Sequence, residues 1–402
     1  MIKIQTAEFK QRIEKLRNRM RQEQLDICIV YGDEYRRENL RYVSNFWALF
    51  ERGALIVPLE DEPILLAAPE GEMICRETSA WDDIRVIPDF ACVTVPEEIE
   101  YPNAAYTSFQ SVFEQLRRTA PLKKAGIIGM DAMSHQVFTA IADNLQGCEI
   151  VDGNYLLTEA RLMKSADERA CLKEAARIAD AGYKALLLAA KVGATELQLA
   201  AAAHEAAFRE GAEAIPFCLV SSGERVNTII GRATAKRIAD GDMVMAALAV
   251  QYEGYIATIN FPFVVGSMGE RQKQFIGLLI GANEAAKAKL VPGGKQSELV
   301  KAVKDYFRAS GVSQYDLYPP LHGCGVAEAE SPYPNEASTE VFQPGMTVNT
   351  DISLFGHPDG SNRIEESFVI TETGYASLSI LVPQLCEQWK ESGTIEPSSI
   401  SL

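Results

Sequence analysis

Three residues stand out as groups that could carry chemistry: His322, Asp351 and Glu365. His322 lies in LHGCGVAEAESPYP, where Gly323 and Gly325 let a backbone approach a bound molecule closely and Glu328 and Glu330 follow as acids. Asp351 sits in NTDISLF and Glu365 in SNRIEESFVI, both apolar and strand-like. In strand geometry Arg363 and Glu365 share one face while Ile364 and Glu366 point to the other. A carboxylate in a buried strand needs a cationic partner, a metal or a raised pKa. The acids are therefore either half of an Arg–Glu pair or part of a site. The remaining histidines offer less: His135 and His204 lie among alanines on helix-like segments, and His357 sits in the turn-like LFGHPDG and is expected to be an exposed loop residue.

The stretch AALAVQYEGYIATINF, residues 246–261, reads as a strand pair with its turn at Tyr252-Glu253-Gly254. A turn centred there sets Ala247 opposite Thr258 and Met245 opposite Asn260. Directly opposed side chains lie roughly 4.5–5.5 Å apart, close enough for two carboxylates to share a metal. Here the pair is Ala and Thr.

These residues belong to a 402-residue chain that is 47% hydrophobic and 23% charged, an ordinary globular composition long enough for two or three domains. Its net charge of -16 argues against nucleic acid or an anionic membrane as partner, since both demand clustered Lys and Arg. MIKIQTAEFKQRIEKL is too charged for a signal peptide, and no apolar run of about 18 residues occurs, so a cytoplasmic location is expected. The eight cysteines are scattered singly, without a CxxC pair, and read as reduced core residues.

The first part alternates helical and strand patterns: Phe9, Ile13, Leu16 and Met20 mark a helix face, ICIVY a strand, GALIVPLEDEPILLAAP a hairpin, AGIIGM a strand, and SHQVFTAIADNL a helix with Ser134 as N-cap. An α/β domain over 1–155 is expected, followed by a second domain over 156–402 that opens on a long helix. The second domain contains a duplication. VGATELQLAAAAHEAAFREG matches PGGKQSELVKAVKDYFRASG, Gly193 with Gly293 and Leu199 with Leu299, and each copy precedes strand-like segments. Such self-similarity predicts two pseudo-symmetric halves with a site drawing residues from both.

In order and spacing, ARLMKSADERACLKEAARIAD, ADGDMVMAALAVQYEGYIAT, LHGCG, FQPGMTVNTDI and RIEESFVIT resemble the creatinase/aminopeptidase P/prolidase group. The resemblance implies a small N-terminal creatinase-like α/β domain and a pita-bread catalytic domain with pseudo-twofold duplicated halves. The group's metallopeptidases bind two divalent ions through Asp, Asp, His, Glu and Glu, which fall here on Ala247, Thr258, His322, Asp351 and Glu365. Two ligands are absent and one is shortened, so no dinuclear centre and no cofactor are expected. Creatinase also works without metal, but its proton-shuttling His falls on Ile230 and one catalytic Glu on Asn260; the group's second His after HGxG falls on Ala329, beside a retained Glu330.

The expectation is a metal-independent hydrolase of a C–N bond, of amide, amidine or guanidine type, in a small carboxylate-bearing molecule, as the resemblance to creatinase and ectoine-type hydrolases implies. His322 is then the general acid or base, assisted by Asp351 and Glu365. Thr258, Asn260 and Glu330 line the substrate, and Arg52, or more weakly Arg232, anchors its carboxylate through a guanidinium fork. A homodimer is implied in which the N-terminal domain completes the partner's site. Two other readings stand beside this one: an Xaa-Pro dipeptidase or aminopeptidase with a reduced metal site, and a non-catalytic pita-bread binding module.

Overall fold

A computed structural model describes residues 2–92 and 106–402 and divides the chain into two compact units, Ile4–Arg161 and Leu162–Leu402, the latter joined by Met1–Lys3. The first unit runs α1 (Thr6–Gln22), β1 (Ile27–Asp33), α2 (Glu38–Ser44), β2 (Arg52–Pro58), β3 (Ile64–Ala67), α3 (Glu72–Thr78), β4 (Ile84–Val86), α4 (Phe109–Thr119), β5 (Lys124–Ile128), α5 (His135–Asn144), β6 (Glu149–Asp152) and α6 (Tyr155–Leu162). Its six strands form one mixed sheet in the order β4-β3-β2-β1-β5-β6. The apolar runs of β1 and β2 are buried almost throughout, and Ser134 caps α5 by accepting from the Val137 amide.

The second unit shows the duplication in three dimensions. One half is α7 (Ala166–Ala189), α8 (Glu196–Arg209), β7 (Ala214–Ser222), β8 (Met243–Tyr252), β9 (Tyr255–Asn260) and β10 (Phe263–Val264). The other is α9 (Glu270–Lys287), α10 (Gln296–Ala309), β11 (Leu321–Gly323), β12 (Thr347–His357), β13 (Gly360–Ile370) and β14 (Tyr375–Ser377), closed by α11 (Leu381–Ser392). Gly193 and Gly293 take φ of 88° and 78° with open space around them, so the left-handed backbone ahead of α8 and α10, rather than crowding, selects glycine at both. The two halves meet where β9 pairs with β13 at Asn260 and Glu365, within an eight-stranded antiparallel sheet.

Strand alternation gives this sheet two chemically distinct faces. Val244, Ala246, Leu248, Ile259, Ile352, Ile364 and Phe368 pack with Ile178 and Tyr183 of α7 and Phe275 and Leu279 of α9 in one core. The opposite face carries Ala247, Thr258, Asn260, Asn349, Asp351, Arg363 and Glu365, as the strand pairings require. The helices thus cover one side and leave a polar floor on the other.

The hairpin register differs from the sequence expectation. Only Glu253 and Gly254 form the turn, with φ of 49° and 83°, and Tyr252 pairs with Tyr255. A two-residue loop with positive φ at both positions matches the right-handed twist of the flanking strands, and it sits one residue later than the pairing of Ala247 with Thr258 would need. Ala247 therefore faces Asn260, and Thr258 faces Ala249. All four still share the polar face, with Ala247 and Thr258 now diagonal neighbours.

Asp180 on α7 fastens α11. It accepts from Ser379 Oγ (2.6 Å) and from the amides of Ile380 (2.6 Å) and Leu381 (3.2 Å). Burial nonetheless pushes its carboxyl up to about 6. Asp180→Ala strands these donors in the interior and is expected to reduce stability by about 1–3 kcal/mol, read as a lower urea midpoint with unchanged slope.

Candidate active site

A cavity of about 410 Å³ opens on the polar face. Its floor includes His322, Glu328, Asp351, Arg363 and Glu365, and its walls include Phe217, Leu219, Ile230, Tyr318 and Tyr333. Of the residues singled out from sequence, the cavity thus gathers His322, Asp351 and Glu365.

β11 pairs His322 with Asn349 on β12, which fixes the imidazole over the sheet. His322 Nδ1 lies 2.9 Å from the Gly323 carbonyl, an acceptor, so Nδ1 carries the proton. Asn349 Nδ2 donates toward Nε2 at 3.3 Å and toward Glu365 Oε2 at 3.4 Å, while Asn349 Oδ1 accepts from Ser367 Oγ at 3.0 Å. Nε2 is thus the accepting nitrogen of the ring, and the Asn349 amide occupies that position. Asn349 links the two titratable groups and was missed in the sequence; its spacing of two from Asp351 puts it on the same strand face, the one signal that could have found it.

Arg363 is the cation of the floor. Its Nη1 donates to Asp351 Oδ2 and Glu365 Oε1, each at 3.2 Å, and the guanidinium carbon lies 5.4 Å and 5.3 Å from the ring centroids of Tyr318 and Phe355. The Arg–Glu pair considered from sequence is present, and the same arginine also reaches Asp351. Burial, and next the charge of Asp351, push the Glu365 carboxyl up to about 8, against the pull of Arg363. Burial raises the Asp351 carboxyl too, opposed by Arg363 and His322. Glu365 is then largely protonated at neutral pH, a proton donor in the floor.

The other sequence candidates are placed differently. Thr258 is buried and donates through Oγ1 to Glu328 Oε1 at 3.2 Å, so it reaches the cavity through that carboxylate. Asn260 is 0% exposed and stands behind the lining, with no hydrogen-bond partner for either amide atom among the described residues. Glu330 does not line the cavity: Lys164 Nζ holds its carboxylate at 2.7 Å in a buried pair beneath the glycine loop. Arg232 is exposed and also outside the lining, its backbone bridged to Leu219. Arg52 belongs to the first unit, where it begins β2 and donates to the Ala91 carbonyl at 3.2 Å.

Two local features shape the surroundings. Ile229 takes φ 61° and ψ -63°, with the Ile230 amide donating to the Thr228 carbonyl at 2.7 Å, a strained γ-turn for a β-branched residue. It turns Ile230, 72% exposed, onto the cavity wall. His357, expected in an exposed loop, is instead at the end of β12 with a side chain only 11% exposed, packed on Phe275 and Tyr315.

These residues do not fit a two-metal centre. Ala247 offers only a methyl group, the Thr258 hydroxyl is engaged by Glu328, and Asp351 and Glu365 are drawn onto Arg363. A bridged ion pair is held by carboxylates, and the two hairpin positions to which the family resemblance assigns them supply none. Among the described residues no group of three or more His, Cys, Asp or Glu is placed to hold a metal ion.

The duplicated helix–strand halves around a polar sheet floor give the second unit the pita-bread architecture. The metallopeptidase family M24 profile matches residues 170–372 and that of the creatinase/prolidase N-terminal domain matches residues 12–163, and the chain belongs to the M24 family. It is 29% identical over 253 residues to an uncharacterized peptidase of Bacillus subtilis, covering 62% of this chain and 71% of that one. It is 26% identical over 294 residues to an Xaa-Pro dipeptidase of Pyrococcus furiosus, covering 73% and 83%. Among solved structures, an Xaa-Pro dipeptidase from Bacillus anthracis superposes with a TM-score of 0.77 at 22% identity, over 92% of this chain and 98% of that one. The prolidase of Pyrococcus horikoshii gives 0.78 at 21%, over 92% and 100%. The expected fold is thereby established, and the family is one of enzymes that hydrolyse C–N bonds.

Proposed function

We propose that this chain hydrolyses an amide-type C–N bond in a small, dipeptide-sized molecule by acid–base catalysis from its own side chains. The observation that carries this reading is the pairing of a carboxyl raised to about 8, Glu365, with the Nε2 lone pair of His322 across one amide nitrogen of Asn349. Water displaces the Asn349 amide at His322 Nε2 and gives its proton to that nitrogen as its oxygen attacks the carbonyl carbon. Glu365 gives its proton to the departing nitrogen, and Asp351 with Arg363 holds the charge of the floor. General acid–base transfer of this kind contributes typically 10²–10⁴-fold to a rate.

The relatives' names support the substrate side: they are peptidases and dipeptidases, which favours a peptide-type amide over the amidine or guanidine bond also expected from sequence. The residues at positions 247 and 258 support the metal-independent side. Arg52 as the anchor of a substrate carboxylate, supplied across a homodimer, is part of the proposal. So is a cytoplasmic location; no described helix is long and apolar enough to cross a membrane.

A metal-dependent Xaa-Pro dipeptidase is the second reading, favoured by those same relatives. Elemental analysis of protein purified without chelator, with turnover of a panel of dipeptides and N-acyl amino acids before and after EDTA, separates the two. Substoichiometric metal and EDTA-resistant turnover are expected. Stoichiometric Mn, Zn or Fe with EDTA-sensitive cleavage of Xaa-Pro dipeptides would overturn metal independence.

A further inference from the structure

We propose that Glu328 is the carboxylate that fixes substrate in this cavity, and that the group it holds is a nitrogen-centred cation, an ammonium or amidinium attached to an apolar body. The inference rests on the reading that this cavity is the substrate site, and it adds a residue and a charge class.

The hairpin has no acid at 247 or 258, but a carboxylate reaches the same place from another element. Glu328, in the loop after β11, lines the cavity; its Oε1 accepts from Thr258 Oγ1 at 3.2 Å and lies 3.9 Å from His322 Nε2. Thr258 thus steers a neighbouring carboxylate over the floor. With its side chain 28% exposed, Glu328 is open enough to meet an entering molecule and close enough to the imidazole to place it.

The charges of the lining decide what that molecule carries. Glu328, Asp351 and Glu365 face a single arginine, Arg363, which is already committed to the latter two. Among the permanently charged members of the lining, Glu328 and Asp351 set against Arg363 leave one negative charge, with His322 the other basic group, 3.9 Å from Glu328. Asp351 Oδ1, buried in the floor, has no hydrogen-bond donor among the described residues, so a second acceptor awaits an N–H group. An anionic group at the floor meets carboxylates, whereas an ammonium or amidinium gains charge-assisted bonds. The walls of Phe217, Leu219, Ile230, Tyr318 and Tyr333 suit an apolar remainder.

Benzamidine, benzamide and benzoate share one apolar ring and differ in the charge of the head, so their Kd values for the full chain, measured by calorimetry at pH 7 and fixed ionic strength, isolate that charge. Benzamidine is expected to bind at least about tenfold more tightly than the other two. E328Q should bring the three to within about threefold of one another. T258V, which removes only the steering bond, should weaken benzamidine several-fold and leave benzamide unchanged. The general attraction of a chain with net charge -16 for cations is nearly identical in E328Q, so the difference between wild type and variant carries the test. No benzamidine preference in the wild type, or a preference that survives E328Q, overturns the proposal; if E328Q does not fold, an undiminished preference in T258V does so. Benzamidine preference without hydrolysis of any amide would leave Glu328 standing and remove the proposed reaction. Amide hydrolysis without the preference would do the reverse.

Discussion

Arg363→Met is expected to reduce the stability of the C-terminal unit by about 3–5 kcal/mol, because it removes the one cation from a buried group of two carboxyls. The effect has a predictable pH dependence. In the wild type the Glu365 carboxyl is raised from 4.5 to about 8, first by burial and then by the charge of Asp351. A folded-state pKa above the unfolded one contributes stability that is fully present below about 4.5 and is lost as pH rises through about 8. Wild-type stability should therefore decline over that window. In Arg363→Met both carboxyls lose the guanidinium that favours their charged forms, so the deficit relative to wild type should be largest above pH 8 and shrink as the pH falls and they are protonated. Adding Glu365→Gln should recover part of the loss and flatten the decline. Urea unfolding of the four proteins of this cycle from pH 5 to 9 measures all of this; an Arg363→Met deficit independent of pH would show that the guanidinium acts through packing on Tyr318 and Phe355 alone.

His322→Ala and Glu365→Gln are each expected to lower kcat by about 10²–10⁴ on whichever amide the wild type hydrolyses. The two are separable by pH. Glu365 acts in the proposed reaction as an acid and must carry its proton, so wild-type kcat should fall as pH rises past about 8. Glu365→Gln keeps the shape and the bond from Asn349 but has no proton to give, so its residual rate should lack that alkaline limb. Asn349→Asp is the informative neighbour: it replaces the donor shared by His322 and Glu365 with an acceptor, and its deficit should lie in kcat rather than KM. Glu365→Gln with wild-type kcat would remove the acid role.

The candidate site was partly legible before any coordinates. His322, Asp351 and Glu365 could be named because each is a polar residue in an apolar or glycine-rich stretch, where an unpaired charge is costly and so demands a reason. Arg363 could be put on the face of Glu365 by strand parity alone. Its second contact, to Asp351, could not, because that depends on β12 pairing with β13 in the register that sets Asp351 against Glu365. The hairpin register failed for the same reason: it follows from where the turn sits, and a two-residue loop at Glu253-Gly254 rather than one residue earlier slides every partner along β8 and β9 by two, which keeps the faces but changes the pairs.

Glu330 and Glu328 show the limit most clearly. They are two residues apart in one acidic stretch, and nothing local distinguishes them. Lys164, far away in the chain, buries against Glu330, and Thr258, on the hairpin, points Glu328 into the cavity.

By itself the sequence determined the duplication, the helix and strand periods, the residues able to move protons and the absence of carboxylates at positions 247 and 258, since all of these are properties of residue identity and short-range spacing. Tertiary structure alone decided which carboxyl is pushed up, which side chain meets His322 Nε2 and which glutamate faces the cavity. Those depend on burial and on side chains brought together from separate elements, such as Thr258 with Glu328 and Asn349 with His322, which no local pattern carries.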